Sequence, residues 1–219
     1  MKVILFDIDT LRADHMGCYG YGRDTTPVMD GIAKEGVCFD RYYCPNAPCL
    51  PSRASMVTGL YGIHNGIVGH GGTAADLRLQ GESRSFTDLV SENGLFMQFK
   101  RAGLHTVSFS SFAERHSAWW FLSGLDEYYN PGLRGGESAD MVTPAVLNWL
   151  ERNREMEDWF LHVHYWDPLT PYRTPEGVKS QFQDEPLPDD WITDEIFEEH
   201  LRHIGPHGAN DINMWNDET

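Results

Sequence analysis

The sequence predicts an α/β fold built on a mainly parallel sheet with helices on both faces. Three observations predict it. Short apolar runs suited to buried strands recur at Lys2 to Ile8, Val37 to Tyr43, Leu104 to Ser110 and Trp159 to Tyr165. Segments with helical spacing lie between them, and alternation of this kind is the mark of parallel strands covered by helices. The first run also ends in acid, as strands do when they deliver polar residues to the ligand-binding edge of an open sheet.

KVILFDI reads as the first strand. Thr25-Thr26-Pro27 follows as a helix start, with an N-cap hydroxyl and a proline near the first helical position, and Val28, Ile32 and Ala33 share one face before Gly36 stops the helix. Val37 to Tyr43 is the second expected strand. A further helix start lies at Pro51, two residues after Cys49, and Gly59 ends that segment. SFTDLVSENGLFMQFKRAG, from Ser85, has helical spacing weakened at Gly94 and stopped at Gly103, and leads into the strand LHTVSFS. Ser138 to Asn153 places Met141, Val142, Val146, Leu147 and Leu150 on an apolar stripe before the last strand, WFLHVHY. The aromatic groups Trp119-Trp120-Phe121 and Tyr128-Tyr129 read as packing residues. After Trp166 the proline-rich DPLTPYRTPEG is a loop at a strand end, and residues 190 to 203 read as an acidic helix.

The 219 residues are enough for one large core, and a hydrophobic content of 41% excludes disorder and fibrous classes. Seventeen Lys and Arg stand against 33 Asp and Glu, a formal charge of −16 that would repel a phosphate backbone, so nucleic acid is excluded as the expected partner. The acid is uneven: residues 184 to 219 hold eleven Asp or Glu and one Arg, Arg202. The expected division is therefore a main body over 1–183 and an acidic segment over 184–219. No apolar run reaches the roughly 18 residues a membrane span needs, and no leader pattern follows Met1, so no membrane and a cytoplasmic location are the expectations. Cys18, Cys38, Cys44 and Cys49 match no zinc spacing and read as reduced thiols.

Two constellations carry chemistry. Asp7 and Asp9 stand at i and i+2, on one side of an extended chain, where both carboxylates can face a hard divalent cation or else pair with Arg12. Cys49 stands at a helix N-terminus, where the dipole and free N–H groups favour an anion and lower a thiol pKa, and Arg53 one turn later reaches the same place. Cys49 and Arg53 are separated by three residues, too few for a cysteine-based phosphatase loop. FDIDTL is similar to the aspartyl-phosphate motif of haloacid-dehalogenase-type phosphatases, with Asp7 as nucleophile and Asp9 as acid, but Thr10 arrives one position early.

Cys49-Leu50-Pro51-Ser52-Arg53 with Thr58-Gly59 resembles the Cys-x-Pro-Ser-Arg signature of type I sulfatases. The opening FDIDTLRADHMGCYGYG is similar to the N-terminal metal segment of that family, and HVHYWDPLTPYRTP to its later strand and loop. The resemblance implies an alkaline-phosphatase-like α/β fold and hydrolysis of a small sulfate ester. It further implies that a maturation enzyme oxidises Cys49 to formylglycine, whose hydrated aldehyde binds a divalent metal and attacks sulfur. Calcium is the usual ion, with magnesium or manganese as alternatives. Asp9 is then the matching metal ligand with Asp7 as a second carboxylate, Arg53 stabilises the nucleophile, and His116 is the acid or base.

Three departures bear on that reading. Leu169 stands where the family usually has a sulfate-contacting His, with His162 or His164 as substitutes, and Ser110-Ser111 replace an expected Gly-Lys. No later Asp-His or Asp-Asn metal motif precedes Thr219, so the chain is expected to be the N-terminal portion of a sulfatase or a truncated relative, inactive alone for want of those ligands. Hydrolysis of phosphonate monoesters or phosphodiesters, and a non-catalytic sulfatase-like domain, are the alternatives. His64 and His70, in IHNGIVGHGG, follow the signature closely enough to line the same pocket.

Overall fold

The computed structural model describes residues 1–78 and 92–169, with isolated positions at 182, 195, 198, 199 and 202. Four strands form one parallel sheet in the order β1-β4-β2-β3, where β1 is Lys2–Ile8, β2 His105–Phe109, β3 Glu127–Tyr129 and β4 Trp159–Tyr165. Six α-helices are described: α1 Pro27–Glu35, α2 Cys49–Thr58, α3 Gly62–Asn65, α4 Leu95–Arg101, α5 Phe112–His116 and α6 Ala139–Arg152. The chain falls into two units, one of Met1–Asp9 with Arg41–Trp166, the other of Thr10–Asp40 with Asp167–Thr219. The boundary expected at 183/184, most of the helix over 190–203 and most of the proline-rich loop lie outside the described residues.

The whole sheet belongs to the first unit, and its two faces differ in kind. Strand alternation sends Val107, Phe109, Trp159, Leu161 and Val163 to one side, where they pack with Val142, Val146 and Trp149 of α6. Of the stripe expected on α6, Val142 and Val146 are buried, Met141 and Leu147 are exposed, and Trp149 completes the face instead. The register pairs Asp7 with His164, and His162 with both Leu5 and Ser108, so the opposite side carries a file of polar residues across three strands. Phe96 of α4 covers that side, meeting the rings of Phe160 and His162, and Phe112 of α5 meets those of His164 and Trp166. Helices on both faces of a parallel sheet are the expected fold class.

Several elements differ from their sequence reading. Val37 to Tyr43 forms no strand; Val37, Phe39, Tyr42 and Tyr43 are exposed, and the charged Asp40-Arg41 interrupts the run, so β-propensity there finds no partner strand among the described residues. The remaining strand is Glu127–Tyr129, three residues long and too short to show periodicity, with Tyr129 stacked on Phe109 at 4.5 Å. β1 was expected to be buried. Among the described residues it pairs on one side only, with β4, and leaves Ile4 42% and Phe6 52% exposed.

Gly94 caps α4 rather than weakening its interior, while residues 85–91 lie outside the described set. Phe121 is core as expected, but Trp119 is exposed. In the second unit, α1 starts at Pro27 behind Thr26 as expected, although Val28 and Ile32 are exposed. The four cysteines are free thiols. Among the described residues no helix is long and apolar enough to cross a membrane.

Leu161 is fully buried in β4 against α6. Leu161→Ala is expected to cost about 3 kcal/mol in denaturant unfolding, as large-to-small changes at packed sites do. Leu147→Ser, on the exposed side of α6, should stay within about 0.5 kcal/mol of the parent.

Candidate active site

α2 begins at Cys49, continues through Pro51 in its first turn, where a missing N–H costs nothing, and ends at Gly59, whose φ of 69° is the left-handed cap that glycine adopts without strain. Arg53 therefore lies one turn beyond Cys49, on the side of α2 that faces the sheet, and is 6% exposed. Its guanidinium donates from Nε and Nη2 to the two oxygens of Asp7, at 2.7 and 2.8 Å, and from Nη1 to Asp9 Oδ2 at 2.8 Å. Nη2 also donates to His164 Nε2 at 2.9 Å. The rings of Phe112 and Trp166 lie 5.5 and 5.6 Å from the guanidinium carbon.

Because His164 Nε2 accepts from Arg53, its proton sits on Nδ1, which donates to Ser110 Oγ at 3.0 Å. Ser110 Oγ in turn accepts from the N–H of Phe112. Burial and the Arg53 charge hold His164 neutral, well below the ordinary imidazole pKa. His162 Nε2 lies 3.4 Å from Asp7 Oδ2 and donates to it, while Nδ1 accepts from Ser108 Oγ at 2.8 Å. Burial alone would raise the Asp7 pKa, but the His162 hydrogen bond and the Arg53 charge overcome it and hold the carboxyl far below its usual range. Burial likewise opposes the Arg53 charge, and the paired Asp7 and Asp9 more than offset it, raising its pKa.

Cys49, at the head of the same helix, has other partners. Its Sγ lies 3.1 Å from His70 Nε2 and 3.5 Å from His116 Nε2, and the Leu50 N–H donates to His70 Nε2 at 3.3 Å. The helix N-terminus was expected to lower the thiol pKa; it is raised, because burial and the Asp9 charge outweigh Arg53, Arg115 and the backbone at Leu50. Burial, with His70, Arg115 and Arg53 adding to it, pushes His116 down to about 4. At neutral pH His116 is therefore a neutral imidazole, able to accept a proton.

Cys49, Arg53, Asp7, Asp9 and His116, singled out from sequence, thus come together in one unit. Arg53 spends its hydrogen bonds on the carboxylates and His164 and acts on Cys49 through its charge. Arg12, the other partner considered for the acids, pairs with Asp14. Ser110 and Ser111, in place of the expected Gly-Lys, are supports: Ser110 for His164, and Ser111 as acceptor for Trp166 Nε1. His64 is exposed on α3. His164 as a partner of Arg53 was not foreseen, although its signal was present: two histidines at i and i+2 in an otherwise apolar strand are costly to bury and call for partners.

A calcium site wants six to eight oxygens. Asp7 and Asp9 offer carboxylates, each engaged by Arg53, and the described residues do not complete an oxygen cage around them. As described, this set does not by itself fit calcium.

The chain belongs to the sulfatase family, whose model, named Sulfatase, matches residues 2–204. It is 28% identical over 178 residues to an N-acetylglucosamine-6-O-sulfatase of Bacteroides thetaiotaomicron, covering 76% of this chain and 30% of that protein. The phosphonate monoester hydrolase of Agrobacterium radiobacter shares the fold at a TM-score of 0.55 and 21% identity, covering 80% of this chain and 42% of the other. So does BT4656, solved in complex with its substrate D-glucosamine-2-N,6-O-disulfate, at 0.53 and 19%, covering 99% and 52%. The chain spans about half or less of the length of these relatives.

Arg53→Ala leaves Asp7 and Asp9 without their counter-charge, and is expected to destabilise the protein by about 3–5 kcal/mol in urea unfolding. Arg53→Lys should recover only part, since one ammonium cannot make the forked contacts. His116, held near 4 when folded, is ordinarily half-protonated near 6.5. The unfolded state therefore binds more protons between these values, and stability falls as pH drops through the window. A urea midpoint followed from pH 7 to 4 should decline less steeply in His116→Gln.

Proposed function

We propose that this chain is the nucleophile-bearing part of a sulfuric ester hydrolase. The observation that carries the reading is Cys49, first residue of the Cys-x-Pro-Ser-Arg helix, set beside two imidazoles and one turn before an Arg53 that pairs with both Asp7 and Asp9. In the proposed working form Cys49 is a formylglycine made by a maturation enzyme, and its hydrate supplies the attacking hydroxyl. His116, neutral at pH 7, is placed to take the proton from that group. Arg53 supplies positive charge beneath the nucleophile in a buried setting where charge acts strongly. Asp9 and Asp7 are the carboxylates that would turn toward a divalent metal, calcium or else magnesium or manganese, completed by oxygen ligands outside the described residues.

The substrate class proposed is a small sulfate ester. The N-acetylglucosamine-6-O-sulfatase name of the Bacteroides relative, and the sulfated glucosamine bound by BT4656, favour a sulfated sugar. Phosphonate monoester hydrolysis is the second reading, consistent with the shared fold of the Agrobacterium enzyme.

The test is the mass of the Cys49 peptide from full-length protein made with a formylglycine-generating enzyme. Exchange of the thiol for an aldehyde is the expected result, and an unmodified thiol under those conditions overturns the reading. Made under the same conditions, Cys49→Ala, which cannot be converted, should reduce sulfate-ester hydrolysis to background, and His116→Ala in the converted protein should lower kcat roughly 100-fold or more, the range of a lost acid–base group. Faster turnover of a phosphonate monoester than of any sulfate ester tried would favour the second reading.

A further inference from the structure

Cys49 Sγ, His70 Nε2 and His116 Nε2 all lie within 4.8 Å of one another, the one such trio of ligand atoms among the described residues. The sulfur-to-nitrogen separations are 3.1 and 3.5 Å. A tetrahedral zinc ion, with Zn–S near 2.3 Å and Zn–N near 2.0–2.1 Å, sets its ligand atoms roughly 3.3–3.6 Å apart. The three groups arrive from separate places: the head of α2, the chain after α3, and the end of α5. The two imidazole rings lie 5.1 Å apart and are tilted by 45°. The Leu50 N–H donates to His70 Nε2, so that nitrogen is the unprotonated one, and a metal would take its lone pair in place of this backbone donor.

We propose that the protein with Cys49 unconverted holds a zinc-class divalent ion on Cys49, His70 and His116. One thiolate with two imidazoles is a borderline-soft donor set, suited to Zn²⁺ or Co²⁺ and poorly to Ca²⁺ or Mg²⁺. It is therefore distinct from the hard carboxylates Asp7 and Asp9. On binding, the Cys49 S–H bond breaks and its proton passes to solvent, an S–Zn bond forms, and each neutral imidazole donates its Nε2 lone pair; no electron is transferred. Three protein ligands leave a fourth position for water, and His70 is exposed, so the ion has a path in. The Arg53 charge does not bar a cation, because the two carboxylates of Asp7 and Asp9 more than offset it. One consequence rests on the formylglycine reading: an ion seated on the sulfur and conversion of that sulfur exclude each other.

The test uses full-length protein made without a formylglycine-generating enzyme, its Cys49 confirmed as thiol by mass and its fold by circular dichroism. Titrated with Co²⁺, it is expected to show thiolate-to-cobalt charge transfer with tetrahedral visible bands at one equivalent, displaced by Zn²⁺. Cys49→Ser should remove the charge-transfer band. His70→Ala and His116→Ala should each weaken binding by more than the roughly 100-fold that loss of an outer-shell partner costs. Zn²⁺ should also slow iodoacetamide alkylation of Cys49 while the exposed Cys38 still reacts.

Absence of the band overturns the proposal, as does a band that survives both histidine variants, or Cys49 alkylation at one rate with and without Zn²⁺. None of these readouts involves conversion or turnover, so their failure leaves the hydrolase reading standing. Failure of conversion likewise leaves the thiol site intact.

Discussion

The buried guanidinium of Arg53 is the constraint on which the rest of this structure depends. A charge taken out of water costs several kcal/mol unless it is paired and its hydrogen-bonding groups are used. Here α2 supplies the cation, β1 and the turn after it supply Asp7 and Asp9, and β4 supplies His164 as a neutral acceptor. The helix can sit on the sheet in only one register if all these bonds are to be made. Position of α2 in turn places Cys49, one turn upstream, so the charge pair also helps to locate that thiol.

Satisfaction of that charge spreads outward through a chain of polar groups on one face of the sheet. His164 can accept from Arg53 only as the Nδ1–H tautomer, and Ser110 fixes that tautomer. His162 reaches Asp7 from the adjacent position in β4 and is held from behind by Ser108. The opposite face of the same strands is apolar and carries α6. One strand thus does two tasks by alternation: Leu161 and Val163 hold the fold, while His162 and His164 hold the site.

The groups around Arg53 and those around Cys49 differ in chemistry. Beneath Arg53 the groups are hard oxygens already committed to a cation. Around Cys49 they are a thiol and two neutral imidazoles, with His116 kept neutral by burial and by neighbouring positive charge. Sulfatase-family membership does not by itself explain the softness of the second set.

Much of this was legible in the sequence because it is local. The limits of β1 and β4 follow from predominantly apolar runs, and those of α2 and α6 from caps and periodicity. The Cys49-to-Arg53 spacing is itself one helical turn, and the i, i+2 spacing of Asp7 and Asp9 puts them on one side of an extended chain. Val37 to Tyr43 misled because strand propensity has meaning only beside a partner strand, and Glu127 to Tyr129 escaped because three residues carry no period. The tertiary structure alone decided that Arg53 pairs with Asp7, 46 positions away, and that His164, 111 positions away, completes it. It alone brought His70 and His116 together beside one sulfur. Spacing along a chain specifies which groups share a turn or a strand face, whereas pairing between distant groups is set by sheet register and helix docking, and these exist only once the chain has folded.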